Sequence, residues 1–187
     1  MAPGFSRSAG LRCVVLALAL LTTAGCTTSS SSTSAPAITT ADVAESATVS
    51  RVSDGDTLRT TSGRKVRLVQ IDAPELHGDC FGKGALAALR KLAPPGTRVV
   101  LERDPALDAT DRYGRQLRYV FVGATNVNVA LVRQGGASPY FFRGVRGRYA
   151  TDLLDAVDEA RDAGRGYWGA CRGARLDTNR GSITGPG

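Results

Sequence analysis

The chain has 187 residues, with 24 basic against 17 acidic side chains and a formal net charge of +7. That length suits one ordinary domain plus short extensions. The basic excess is mostly arginine, since Lys65, Lys83 and Lys91 are the only lysines; guanidinium suits polyanionic partners such as nucleic acid, and a single histidine, His77, leaves no zinc ligand set.

Residues 1–25 carry Arg7 and Arg12, no acidic residue, an apolar run over 13–21 and small residues up to Cys26. This is the pattern of a secretory signal peptide, and its apolar stretch is too short to span a bilayer. The Thr-Ala-Gly-Cys that ends at Cys26 resembles a bacterial lipoprotein box, which predicts lipidation of Cys26 and an exported protein tethered at the outer membrane face. Thr23 stands where such a box usually has leucine, so plain release by signal peptidase into the medium stays open. Residues 26–45, rich in Ser and Thr without periodicity, read as a linker. Residues 46–171 are the expected folded domain, and the Gly-rich residues 172–187 the expected disordered tail. With Cys13 removed in the signal and Cys26 lipidated, Cys80 and Cys171 remain, and in an exported protein such a pair is expected to form a disulfide.

Within the domain, residues 47–53 and 57–61 are short β-prone runs joined by Asp54-Gly55-Asp56, a tight-turn signal. Ser62-Gly63 marks a second turn and residues 65–71 a third strand. Alternation along that strand puts Arg67, Val69 and Ile71 on one face and Leu68 and Gln70 on the other. Pro74 ends it. Leu86, Leu89 and Leu92 at helical spacing predict a helix over 84–92, stopped by Pro94-Pro95-Gly96. Residues 97–102 and 117–122 read as the fourth and fifth strands. A short helix over 127–134, with Asn126 as a candidate N-cap, precedes Gly135-Gly136. Leu153, Leu154, Val157 and Ala160 form the apolar stripe of a last helix. Five strands, with a helix between the third and fourth, match an α+β fold that is mainly a β barrel, of the five-stranded Greek-key OB type with three helices.

Asp54 and Asp56 flank a glycine, so one turn can aim both carboxylates at a common point. Asp72 and Glu75 emerge where the third strand gives way to a loop. Taken alone, the Asp-Gly turn reads as a hairpin and the strand end as a polar terminus. Taken together, two or three hard oxygen ligands suit Ca²⁺ or Mg²⁺. Arg115 lies in a turn-rich loop after Tyr113-Gly114, where it can join Arg67 on a phosphate.

These residues carry a resemblance. The chain resembles the thermonuclease, or staphylococcal-nuclease-like, family over about 48–168. The matching stretches are Val52-Ser53-Asp54-Gly55-Asp56-Thr57, residues 67–75, Asp111-Arg112-Tyr113-Gly114-Arg115 and residues 128–135. The resemblance implies an OB-type barrel with three helices and Ca²⁺-dependent hydrolysis of DNA and RNA phosphodiesters. By position, Asp56 and Asp72 are the implied metal ligands, with the carbonyl of Ala73 and, through water, Asp54. Glu75 is the implied general base. Arg67 and Arg115 are the implied phosphate clamp, and Tyr113 and Arg112 the implied substrate contacts. Single-stranded DNA or RNA is the implied partner, 3′-phosphorylated nucleotides are the implied products, and a monomer is expected. Ala73 replaces a threonine of the best-known members, and residues 137–147 align poorly.

Overall fold

In the computed structural model, which describes residues 44–183, the chain opens with three antiparallel strands. These are β1 (Ala44–Val52), β2 (Thr57–Thr60) and β3 (Lys65–Leu68). A two-residue strand β4 (Ile71–Asp72) follows, then helix α1 (Gly82–Leu92), β5 (Arg98–Glu102) and β6 (Gln116–Val122). The strand order is β3-β2-β1-β5-β6. Parallel pairing of β3 with β6, Val66 opposite Gln116, closes the five strands into a barrel. Closure removes the free edges that would otherwise invite pairing with other chains.

The rest packs around this barrel. A short β7 (Thr125–Asn126) leads into α2 (Val127–Arg133), whose N-cap Asn126 accepts from the Val129 N–H. β8 (Ser138–Pro139) pairs with β4, placing Ser138 opposite Asp72. α3 (Ala150–Asp162) buries Leu153, Ala156, Val157 and Ala160, the i, i+3, i+4, i+7 spacing of one helical face. A single-turn helix α4 (Tyr167–Ala170) is added to the three expected helices. Cys80 is bonded to Cys171, which ties the loop after Glu75 to the end of α4.

Two expectations are corrected. The first is the continuous strand over 65–71, which breaks at Gln70, a non-glycine residue at φ 62°. The break separates β3 from β4 and stops the simple alternation, so that Val69, Gln70 and Ile71 are all buried. This left-handed conformation persists because its surroundings over-determine it. The Gln70 side chain donates to Val145 O (2.8 Å) and accepts from the Gly147 N–H (2.7 Å), and its carbonyl accepts from Tyr140 N. Fully buried Asn128 completes the hold by donating to Val69 O (2.8 Å) and accepting from Val120 N. The second correction is the tail. Residues 172–187 were expected to be disordered, yet β9 (Arg175–Asp177) and β10 (Gly181–Ile183) form an antiparallel hairpin. Its Asp177-Thr178-Asn179-Arg180 turn is capped locally, with Asp177 Oδ1 accepting from Asn179 N. Thr178 O accepts from Phe141 N, which docks the hairpin on the body of the domain. β1 begins at Ala44, the first of the described residues. Residues 1–43, including the signal, Cys26 and most of the linker, lie outside the described residues. Among the described residues no helix is long and apolar enough to cross a membrane.

Candidate active site

The break at Gln70 turns the chain back toward β3 and delivers Asp72 beside Arg67. Arg67 holds this turn from inside: its Nη1 donates to Ile71 O (2.8 Å) and Leu68 O (3.3 Å). Its Nη2 donates to Asp72 Oδ1 (2.8 Å) and lies 2.9 Å from Asp56 Oδ2. The Asp54-Gly55-Asp56 turn reaches the same point from the end of β1. Asp54 Oδ1 accepts from the Asp56 N–H (3.1 Å), which shapes the turn. Gly55 is required by closeness: a Cβ there would come within 2.6 Å of Ala73 Cβ and 2.8 Å of Ala85 Cβ. The backbone carrying Asp56 is thereby packed directly against the residue after Asp72.

Arg115 enters the same network through Thr57. Thr57 Oγ1 donates to Asp56 Oδ1 (2.9 Å) and accepts from Arg115 Nη1 (3.3 Å). Asp111 holds the other side of Arg115, accepting from its Nε (2.6 Å) and from the backbone N–H of Tyr113 and Arg115. Tyr113 is exposed at the tip of this loop. The guanidinium carbon of Arg112 lies 4.7 Å from its ring centre, and that of Arg115 5.5 Å away. An exposed ring flanked by guanidinium groups offers a flat face for a base.

Glu75 is exposed, and its side chain makes no ion pair or hydrogen bond among the described residues. Its backbone is nevertheless fixed. The Glu75 N–H donates to Asp79 Oδ2 (2.9 Å), and a side chain at Gly82 would collide with the Glu75 carbonyl. The Cys80–Cys171 bond closes the same loop.

The electrostatics follow from crowding carboxylates under partial burial. Burial pushes the Asp72 carboxyl up to about 6; Asp56 and Glu75 add to the rise, while the Ser182 N–H and Arg67 oppose it. Burial, and then Asp56, also push Asp54 upward. For Arg67 burial acts against the charge, but Asp56, Asp72, Asp111 and Asp54 outweigh it and hold the guanidinium above its usual value. Burial likewise disfavours the charged form of Asp111, and the bonds from Arg115 and Tyr113 reverse the effect and lower it.

Among the described residues no group of three or more acidic, histidine or cysteine side chains is gathered for a metal. The pair that is present still fits a hard divalent cation. Asp56 Oδ2 and Asp72 Oδ1 converge on one cationic nitrogen, Nη2 of Arg67, so both carboxylates already face a common point of positive charge. The donors are hard oxygens, and buried Ala73 follows Asp72 directly. Asp72 is held from its other side as well. The Ser182 N–H on β10 donates to Asp72 Oδ2 (2.9 Å), and Ser182 Oγ donates to the Asp72 carbonyl.

The structure thus gathers Asp54, Asp56, Arg67, Asp72, Ala73 and Arg115, with Glu75 on the adjoining loop. Tyr113 and Arg112 stand at the edge. Sequence reasoning missed the linking role of Thr57, the hold of Asp111 on Arg115, and the clamps made by Gln70 and Ser182. Thr57 was within reach, as a hydroxyl next to a candidate ligand. Ser182 is 110 residues from Asp72, and no local pattern announces it.

Comparison with known proteins gives the family. The family model described as staphylococcal nuclease homologue matches residues 65–170. Protein ParB of Escherichia coli is 38% identical over 133 residues, covering 64% of this chain and 70% of ParB. An uncharacterized endonuclease of Haemophilus influenzae is 35% identical over 128 residues, covering 64% of each chain, so the match spans less than two thirds of that relative. The thermonuclease of Staphylococcus intermedius is 35% identical over 133 residues, covering 66% of this chain and 76% of the enzyme. With a closed five-stranded barrel and a family match over more than half its length, the chain belongs to the staphylococcal nuclease homologues.

Proposed function

We propose that the chain is an exported, calcium-dependent nuclease. It hydrolyses phosphodiester bonds of single-stranded DNA and RNA as a monomer and leaves 3′-phosphorylated products. The observation that carries this reading is the convergence of Asp56 and Asp72 on Arg67, with Arg115 joined to Asp56 through Thr57. A relative of the same family is named as a thermonuclease and another as an endonuclease.

Asp56, Asp72 and the Ala73 carbonyl would hold calcium, with Asp54 beside them, and the ion would supply positive charge against the anionic phosphate. The protein's own groups do the rest. Glu75, exposed and without a partner among the described residues, takes a proton from the attacking water. Water oxygen bonds to phosphorus, the bond from phosphorus to the 5′-oxygen breaks, and that oxygen leaves and takes up a proton. Arg67 neutralises Asp56 and Asp72 in the free protein, and its guanidinium is placed to bind the phosphate beside them. Arg115 meets the same phosphate and takes the charge that grows in the transition state. Tyr113, flanked by Arg112, stacks against a base.

The exported location is supported by the signal-like residues 1–25, by the lipoprotein-box resemblance at Cys26 and by a disulfide, which persists in oxidising compartments. In this reading residues 1–25 are removed, Cys26 carries the lipid anchor, the linker follows, and the nuclease domain of about 46–171 is extended by the β9–β10 hairpin.

The test is digestion of single-stranded DNA and RNA with and without a calcium chelator, beside Glu75→Gln. Wild type should cleave only with calcium and leave 3′-phosphate ends. Glu75→Gln should be slower by about 10²–10⁴. Equal cleavage by the two proteins, or cleavage in chelator, overturns the mechanism. Membrane fractionation of Cys26→Ser should show release of the protein; unchanged retention removes the anchor.

A further inference from the structure

Arg51, Arg59 and Lys65 stand directly opposite one another across three strands. Arg51 on β1 pairs with Arg59 on β2, and Arg59 pairs with Lys65 on β3. Opposed residues of antiparallel strands project from the same face. Here it is the outer face, because the neighbours Val52, Leu58 and Val66 fill the barrel. Arg51 and Lys65 are exposed and Arg59 is half-buried. Among the described residues none of the three takes part in an ion pair. Like charges directly opposed weaken a sheet, so the charges of the row do not help to hold the fold.

The row is continuous with the site. Thr57 pairs with Arg67, and one step of two residues along the same strands leads from Thr57 to Arg59 and from Arg67 to Lys65. That step is about 6–7 Å, and neighbouring strands are about 4.8 Å apart. Three cations therefore cross the outer face of the barrel beside the residues that meet the scissile phosphate.

We propose that Arg51, Arg59 and Lys65 form a track for the phosphates that flank the cleaved bond of a single-stranded nucleic acid. The strand runs from the Arg67–Thr57 pair across β3, β2 and β1. The inference rests on the nuclease reading above and adds to it a length preference. Contacts to phosphate carry no base identity, so the track favours longer strands without favouring a sequence.

The experiment compares wild type with a triple variant, Arg51→Gln, Arg59→Gln and Lys65→Gln, on a thymidylate strand of about 15 nucleotides and on a dithymidylate. A control protein loses three charges elsewhere, through Arg90→Gln, Lys91→Gln and Arg161→Gln. The track predicts that the triple variant raises KM for the long strand, leaves kcat/KM for the dinucleotide unchanged, and melts no lower than wild type. Each lost phosphate contact removes about 0.7 from the salt slope. Between ~50 and ~200 mM salt, wild type should therefore lose roughly 18-fold more affinity for the long strand than the variant does. The control should retain the wild-type slope. Equal KM and equal slope in wild type and the triple variant overturn the track while leaving the nuclease reading intact, and so does an equal loss in the control. A wild type that cuts neither substrate overturns the nuclease reading and the track with it.

Discussion

Arg67 stands between two carboxylates, at the place where the proposed function puts the cation, and replacing it separates two roles that otherwise coincide. In Arg67→Met the side-chain volume is roughly kept while three hydrogen bonds disappear, two to carbonyls and one to Asp72, together with the ion pair to Asp56. Removing one partner of a buried ion pair costs about 3–5 kcal/mol. Asp56 and Asp72 are 11% and 30% exposed, and Asp72 can take up a proton near pH 6, so water and protonation relieve part of this cost. We expect a loss of about 2–4 kcal/mol in urea unfolding at pH 8 in chelator. Calcium binding should move the other way. A charge-assisted hydrogen bond worth about 1.5–3 kcal/mol no longer has to be surrendered, so affinity measured by calorimetry should rise about tenfold or more. Cleavage should nonetheless fall by about 10²–10³, because the phosphate loses one of its two guanidinium groups. Weaker calcium binding in Arg67→Met would refute the reasoning, since Arg67 would then be organising the carboxylates rather than standing in for the cation.

Further outcomes concern the loop, the hairpin and the protons. Cys80→Ser with Cys171→Ser opens a link spanning 91 residues and should lower stability by about 2–4 kcal/mol; unchanged denaturant midpoints would contradict this. A chain ended after Ala174 loses the Ser182 N–H that holds Asp72 Oδ2, and its calcium affinity should drop about 10–100-fold. Equal affinity in calorimetry would show that the hairpin is mere decoration. The Asp72 carboxyl, at about 6 in the fold against about 3.9 unfolded, binds its proton more tightly when folded. The stability it contributes without calcium is thus present below about pH 4 and lost as pH rises through 6. Calcium affinity should climb across the same window, as the competing proton leaves. A flat affinity between pH 5 and 7 would contradict that assignment.

The barrel was legible because its strands are short β-prone runs separated by Asp-Gly, Ser-Gly and Pro-Gly signals, and because α1 and α3 carry their apolar residues at helical spacing. The charged positions of the site were legible as a set of motifs. What escaped depends on tertiary contacts. Gln70 looks like one more residue of an alternating strand until Tyr140, Val145 and Gly147 supply its partners from a distant part of the chain, the last two 75 and 77 residues away. The Arg175–Ile183 hairpin lies within a Gly-rich tail, and beyond its own turn it is held by contacts with Phe141 and Asp72 that no local pattern announces. The function of Thr57 needed geometry too, because a hydroxyl beside Asp56 becomes a bridge only when Arg115 arrives from the loop before β6.

The most direct test of the central claim is the initial rate of single-stranded DNA cleavage across a calcium titration, with calcium occupancy followed on the same protein by calorimetry. Asp56 and Asp72 as the cation site, with Arg67, Arg115 and Glu75 serving the phosphate and the water, predict that rate and occupancy rise together with one midpoint. Cleavage that is already full in chelator, or a rate that stays flat while calcium binds, would contradict it.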